Sequence, residues 1–181
     1  MNMKFTPTTN TFFVTESGLV DLQQLLADKK LEYAQVCEYR KQAFELSGDG
    51  WHDNPEFNRM QQLEANLNHL IKELSGRLER TRCYEVQEGQ RPVNQVSIGS
   101  VVALKRWSDD DTDPVPEIWE ITGYDQTVLP QRQLAYNSPL AQAVFGLLEG
   151  DFAEDFVVAG RVWDIEVIHL YPSRLAAGLS G

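Results

Sequence analysis

The sequence predicts an α+β protein, in which an N-terminal antiparallel coiled-coil helical hairpin precedes a small, mostly antiparallel sheet domain with one short helix. Three observations carry this expectation. Apolar residues recur at three- and four-residue intervals up to about residue 80. One glycine-containing stretch, SGDGWHDNPEF from Ser47, interrupts that pattern. Beyond Gly89 and Pro92 the period falls to two.

The first helix opens at Thr15, a usable cap, and carries Leu19, Leu22, Leu26, Tyr33, Val36, Ala43 and Leu46 at mostly helical intervals. Gly48 and Gly50 stop it. In the second helix Met60, Leu63, Leu67, Leu70 and Leu74 form a coiled-coil seam with charged and amide residues between them. Neither stripe can be buried alone and the connection is short, so the two helices are expected to fold back on one another as a rod roughly 45 Å long. After the linker CYEVQEGQRPVN, alternation in QVSIGSVVALKRW, EIWEITGY and RVWDIEVIHLY predicts strands. NSPLAQAVFGLLEG predicts the short helix, with Ser138 as N-cap and Pro139 at its first position. The chain thus reads as a hairpin over 1–82 with its tip at about 47–55, a linker over 83–95, a sheet domain over 96–173, and a patternless tail over 174–181 that is expected to fray.

Composition limits the function classes. The net charge of −11 excludes a general nucleic-acid coat, since neutralising phosphates needs clustered Lys and Arg. Residues 96–174 hold 5 basic and 13 acidic side chains against 9 and 12 in residues 16–82, so the acidity concentrates in the second unit. No stretch is apolar enough to cross a bilayer and the N-terminus lacks the layout of a signal peptide, which predicts a cytoplasmic protein with no membrane partner. Cys37 and Cys83 fall far apart on the hairpin and are expected to be free thiols. The sequence contains no P-loop, dinucleotide glycine signature, zinc-ligand spacing or nucleophile elbow.

Chemistry therefore concentrates at the tip. Asp49 and Asp53 are the two acids that could make this segment a working tip. They also have plain alternatives: Asp49 as a turn residue, and Asp53 as the cap of a capping box completed by Pro55 and Glu56. Trp51 either stacks on an outside partner or packs on the last turn of the hairpin with Phe57. Lys29, Lys30, Arg40, Lys41, Arg59, Lys72 and Arg77 spread along both helices without a concentrated patch, as coiled-coil flanks pairing with neighbouring acids do.

Several blocks together resemble the Gre family of bacterial transcript cleavage factors. FVTESGLVDLQQLL is similar to that family's opening Thr-x-x-Gly-x-x-x-Leu pattern through Thr15, Gly18 and Leu22, and DNPEF resembles its Glu-Asn-Ala-Glu-Tyr at the second helix. IGSVVAL, YNSPLAQAVFGLLEGD and RVWDIEVIHL resemble its C-terminal domain, which is FKBP-like in that family. The resemblance spans about Phe13 to Tyr171. It implies a partner, bacterial RNA polymerase, docked at the rim of its secondary channel through Asn137, Ser138 and Pro139, with the tip reaching the active site and the RNA 3′ end of a backtracked complex. It further implies that Asp49 and Asp53, flanked by the tip contacts Trp51 and Glu56, assist the polymerase as metal ligands. The ion would be the Mg2+ of the polymerase active site and not a stably bound cofactor. Such a protein lends ligands and is not itself an enzyme.

The tip departs from the family spacing. Two residues separate the family's acids, whereas Asp49 and Asp53 are four apart with Gly50 between them, and Asp53 stands where a longer Glu is expected. Two functions follow from the resemblance, a cleavage-stimulating factor and a non-cleaving occupant of the same channel that retunes or inhibits transcription. An FKBP-like domain also raises a prolyl isomerase or chaperone as an outside alternative, although fold does not carry activity.

Overall fold

The computed structural model describes residues 11–47, 50, 53–108 and 114–179. They form two compact units: Leu19–Thr81, and the flanking segments up to Gly18 and from Arg82 onward.

The first unit is the hairpin, built from α1 (Glu16–Ser47) and α2 (Pro55–Glu79). Its antiparallel sense is set by which leucines meet. Leu22 and Leu26, early in α1, are buried with Leu74 and packed by Leu70, Ile71 and Leu78 late in α2. Val36 packs with Met60 and Leu67, flanked by Tyr33 and Leu63. Each buried leucine or methionine contributes about 2 kcal/mol by leaving water. Cys37 and Cys83 are free thiols.

In the second unit a two-stranded ribbon pairs β1 (Phe12–Val14) with β2 (Thr81–Cys83). A five-stranded sheet has the order β5-β4-β3-β7-β6, from β3 (Val101–Trp107), β4 (Glu117–Thr122), β5 (Gln133–Ala135), β6 (Phe152–Val158) and β7 (Arg161–Tyr171). All neighbours are antiparallel except β4 and β5. Val101 to Leu104 are buried on both faces, as suits the central strand. Between Leu134 and Gly146 lies α3 (Pro139–Val144), whose Ala141 and Val144 enter a core of Val102, Leu104, Ile121, Ile165 and Val167.

Strict alternation fails in β7, and the register shows why. Ala103 faces His169 but Leu104 faces Val167, so Ile168 is an extra residue in a bulge. The bulge shifts the side-chain phase by one, which keeps Leu170 in the core with Ile165 and Val167. The strand expected from Gln95 begins only at Val101. Gly99 takes φ +89° and the Ser100 N–H donates to the Ser97 carbonyl at 3.1 Å, closing a turn.

The linker and tail differ most from expectation. Tyr84, Arg91, Val96 and Ile98 are buried, and Arg91 lies under the sheet face that carries Glu120. Its Nη1 donates to Glu120 Oε1 at 2.8 Å and to the Gly99 carbonyl at 2.9 Å, while Nε donates to Glu88 Oε1 at 2.9 Å. The tail is not frayed through Leu179. Arg174 Nη1 pairs with Glu120 Oε2, Nη2 donates to the Gln131 carbonyl at 3.2 Å, and Ala177 is buried. Gln133 Nε2 completes the carboxylate's shell at 2.9 Å. Burial opposes ionisation of Glu120, but these hydrogen bonds and the two guanidinium charges outweigh it and hold the carboxyl below its ordinary range.

Candidate functional site

The tip is assembled by two helix ends. Asn54, at φ −81° and ψ 109°, is the N-cap of α2, and its Oδ1 accepts from the Glu56 N–H at 2.9 Å and the Phe57 N–H at 3.4 Å. This removes the capping alternative for Asp53. The clash with the Pro55 ring disfavours the helical region for Asn54, which accordingly takes extended dihedrals and serves as the cap itself. Pro55 then takes the first position, where its missing N–H costs nothing, and Glu56 falls at the second, one place short of a capping box.

Asp53 is left exposed and without the capping role. Glu56 is exposed as well, with a loose ion pair to Arg59 at 3.7 Å worth a few tenths of a kcal/mol at most. Asp49 and Trp51 lie outside the described residues. Below the tip Phe57 is buried against Phe44, ring centroids 6.1 Å apart, with the Arg40 guanidinium 6.0 Å from its ring. Arg40 also spans the two arms to Glu64 at 2.9 Å. Lys29 pairs with Glu32 at 2.7 Å and Lys41 with Glu45 at 4.0 Å, whereas Lys30 and Lys72 are exposed.

The donor set limits what the tip can hold. No cluster of three or more His, Cys, Asp or Glu with metal-binding placement occurs among the described residues. Mg2+ takes six oxygen ligands, so two tip carboxylates fit it only as part of a shell completed by another molecule or by water.

The second segment singled out by sequence is committed to internal bonds. Asn137 Oδ1 accepts from the Asp125 N–H at 2.9 Å and its Nδ2 donates to Asp125 Oδ1 at 2.8 Å, fixing a turn in which Asp125 has φ +57°. Ser138 caps α3 by accepting from the Ala141 N–H at 3.4 Å. Pro139 remains exposed.

One contributor was not anticipated from sequence. Gln126 Oε1 accepts from the Thr15 N–H at 2.9 Å and its Nε2 donates to Thr15 Oγ1 at 2.6 Å, while Thr15 Oγ1 caps α1 by accepting from the Gly18 N–H at 3.2 Å. A Cβ on Gly18 would lie 2.4 Å from Gln126 Nε2, so the Thr-x-x-Gly opening reflects room for this carboxamide. The signal was the Thr and Gly spacing, but nothing near it in sequence points to residue 126.

No helix among the described residues is long and apolar enough to cross a membrane. No family model matches the chain. It is 30% identical over 146 residues to transcription elongation factor GreA of Nautilia profundicola, covering 77% of this chain and 86% of that protein. It is 27% identical over 154 residues to GreA of Rickettsia conorii, covering 85% and 86% respectively. Among solved structures, GreA factor homolog 1 of Thermus thermophilus aligns over 89% of this chain and 99% of its own, with 20% identity and a TM-score of 0.39. The 30% identity to GreA of Nautilia profundicola, over most of both chains, places the chain in the Gre family of transcription elongation factors.

Proposed function

We propose that this chain is a Gre-type elongation regulator that binds RNA polymerase, inserts its hairpin tip into the secondary channel and modulates the active site there. The observation that carries this reading is Asp53, exposed where the two arms of the hairpin close and relieved of capping by Asn54. A carboxylate so placed has oxygen lone pairs available to a hard cation. With Asp49 it would share the polymerase's Mg2+, helping to orient a water for hydrolysis of a backtracked transcript. The FKBP-like sheet domain serves as the docking module. Exposed Lys30 and Lys72 are available to the RNA 3′ end, while Lys29 and Arg40 are already paired within the rod.

Channel occupancy is the main activity in this reading, with weak cleavage. The tip spacing favours it, because ligands that share an ion must be placed within a few tenths of an ångström, and here one extra residue and one missing methylene alter the placement. The test is a stalled, backtracked elongation complex, with transcript shortening and nucleotide addition measured with and without the protein. Slowed addition with slight shortening is expected. No effect on either, at saturating protein, overturns the reading.

Docking makes a separate prediction. Because Ser138 is a cap, Ser138→Asp preserves an acceptor for the Ala141 N–H, and exposed Pro139 can be exchanged for Glu without disturbing the core. The double variant Ser138→Asp, Pro139→Glu is expected to bind polymerase at least about tenfold more weakly with little change in melting temperature, tenfold being about 1.4 kcal/mol. Unchanged affinity would remove the segment from the interface.

A further inference from the structure

One side chain joins the end of α1 to the start of α2. Asn54 caps α2 through Oδ1, and its Nδ2 reaches across to α1, donating to the Ala43 carbonyl at 3.2 Å and to Ser47 Oγ. Ser47 O–H in turn donates to the same Ala43 carbonyl at 2.6 Å. Capping alone needs only an acceptor, which Asp or Ser would supply equally well. The N–H donors of Asn are what the cross-arm bonds require. They also bring a second side-chain donor to the Ala43 carbonyl beside the Ser47 O–H, tying the end of α1 to the start of α2. Packing supports the closure, since Ala43 and Phe57 are both buried here and the small alanine side chain allows the close approach.

We infer that Asn54 is a positioning residue that clamps the two arms together and so sets the separation of Ser47 and Asp53, the two ends of the tip segment. This inference rests on the Gre-type reading for its consequence at the polymerase. Asp53 precedes Asn54 directly, and Asp49 follows Ser47 by two residues, so the clamp fixes both attachment points. Loss of the clamp changes tip placement without touching the docking domain. Misplacement of about 1 Å in a reacting constellation costs on the order of a hundredfold in rate, whereas affinity built elsewhere is unaffected.

The test uses Asn54→Ser and Asn54→Asp in the full chain. Serine caps but is too short to reach α1; aspartate has the reach but no N–H donor. Both variants are expected to keep polymerase affinity within about twofold while the maximal rate of transcript shortening at saturating protein falls at least about tenfold. Amide hydrogen exchange supplies a readout independent of the polymerase. The Glu56 and Phe57 amides should stay protected by the retained cap, and those of Leu46 and Ser47 should exchange at least about tenfold faster as the last turn of α1 loosens. A wild type with no effect on polymerase overturns the Gre-type reading and with it the role at the active site, while faster exchange would still establish the clamp. An active wild type whose Asn54→Ser form keeps its full maximal rate of transcript shortening overturns the inference alone. Wild-type exchange in the last turn of α1 overturns the clamp itself.

Discussion

Glu120→Ala is expected to destabilise the sheet unit by roughly 3–5 kcal/mol, measured as a shift in the chemical denaturation midpoint. Glu120 is the hub that receives Arg91, Arg174 and Gln133, and removing it leaves the nearly buried Arg91 guanidinium with only the half-exposed Glu88 as a charged partner. The large cost comes from orphaning a buried charge and not from the net worth of the pairs. A double variant, Arg91→Met with Glu120→Leu, removes both buried charges and is expected to recover most of the loss, since Arg174 sits at the edge and can turn to solvent. A double variant as unstable as the single would mean that shape and not charge governs the site. The pH dependence has a definite sign. The folded carboxyls of Glu120 and Glu88 titrate below their ordinary value of 4.5, so their stabilisation is present above that pH and is lost as the pH falls through the folded values. Acid unfolding of Glu120→Gln should therefore be shallower below about pH 4.5 than that of the wild type.

What was legible in the sequence follows from how local each determinant is. The hairpin seam could be read because Met60, Leu63, Leu67, Leu70 and Leu74 repeat on one face, and five buried or half-buried positions in register leave little alternative. β7 was legible from its period-two alternation, although its bulge at Ile168 was not, because phase shifts depend on the partner strand. β6 was missed for a related reason. Ala153 faces Ile165 and Phe156 faces Trp163, so Glu154 and Asp155 together oppose one residue, and the interrupted period resembles a polar loop. Its hairpin turn uses Ala159 and Gly160, both at positive φ, without the Asn-Gly or Asp-Gly pair that normally announces one.

The buried Arg91 and Glu120 and the partly buried Arg174 were illegible in sequence. They lie in a glycine- and proline-marked linker, a strand and a patternless tail, and only the fold brings them together. Charge in such segments is ordinarily solvated, so composition argued the wrong way. The Asn54 cap is different, because it was available in the sequence. The restriction on a residue before Pro55 favours Asn54 over Asp53 as the cap, and it also separates the two roles that Asp53 could have played.

That separation shapes the strongest functional expectation. Because Asp53 does not cap, Asp53→Asn and Asp53→Ala should each change stability by no more than about 0.5 kcal/mol, so any functional loss is attributable to the carboxylate itself. If Asp49 and Asp53 act on a shared ion, Asp49→Asn and Asp53→Asn should each abolish the residual transcript shortening without lowering polymerase affinity, because a tip ligand acts in the transition state and not in docking. Slowed nucleotide addition should largely persist in both, since occupying the channel does not require the charge. The converse experiment restores the family spacing. Deleting Gly50, an exposed residue around whose Cβ position nothing lies within 4 Å, brings the acids to three apart, and Asp53→Glu returns the missing methylene. The combined variant is expected to shorten backtracked transcripts at least about a hundredfold faster than the wild type, the order of rate that about 1 Å of ligand placement commands. Strong magnesium-dependent shortening already present in the wild type, and lost in both Asp→Asn variants, would show instead that the irregular tip is a competent cleavage tip and that occupancy is secondary.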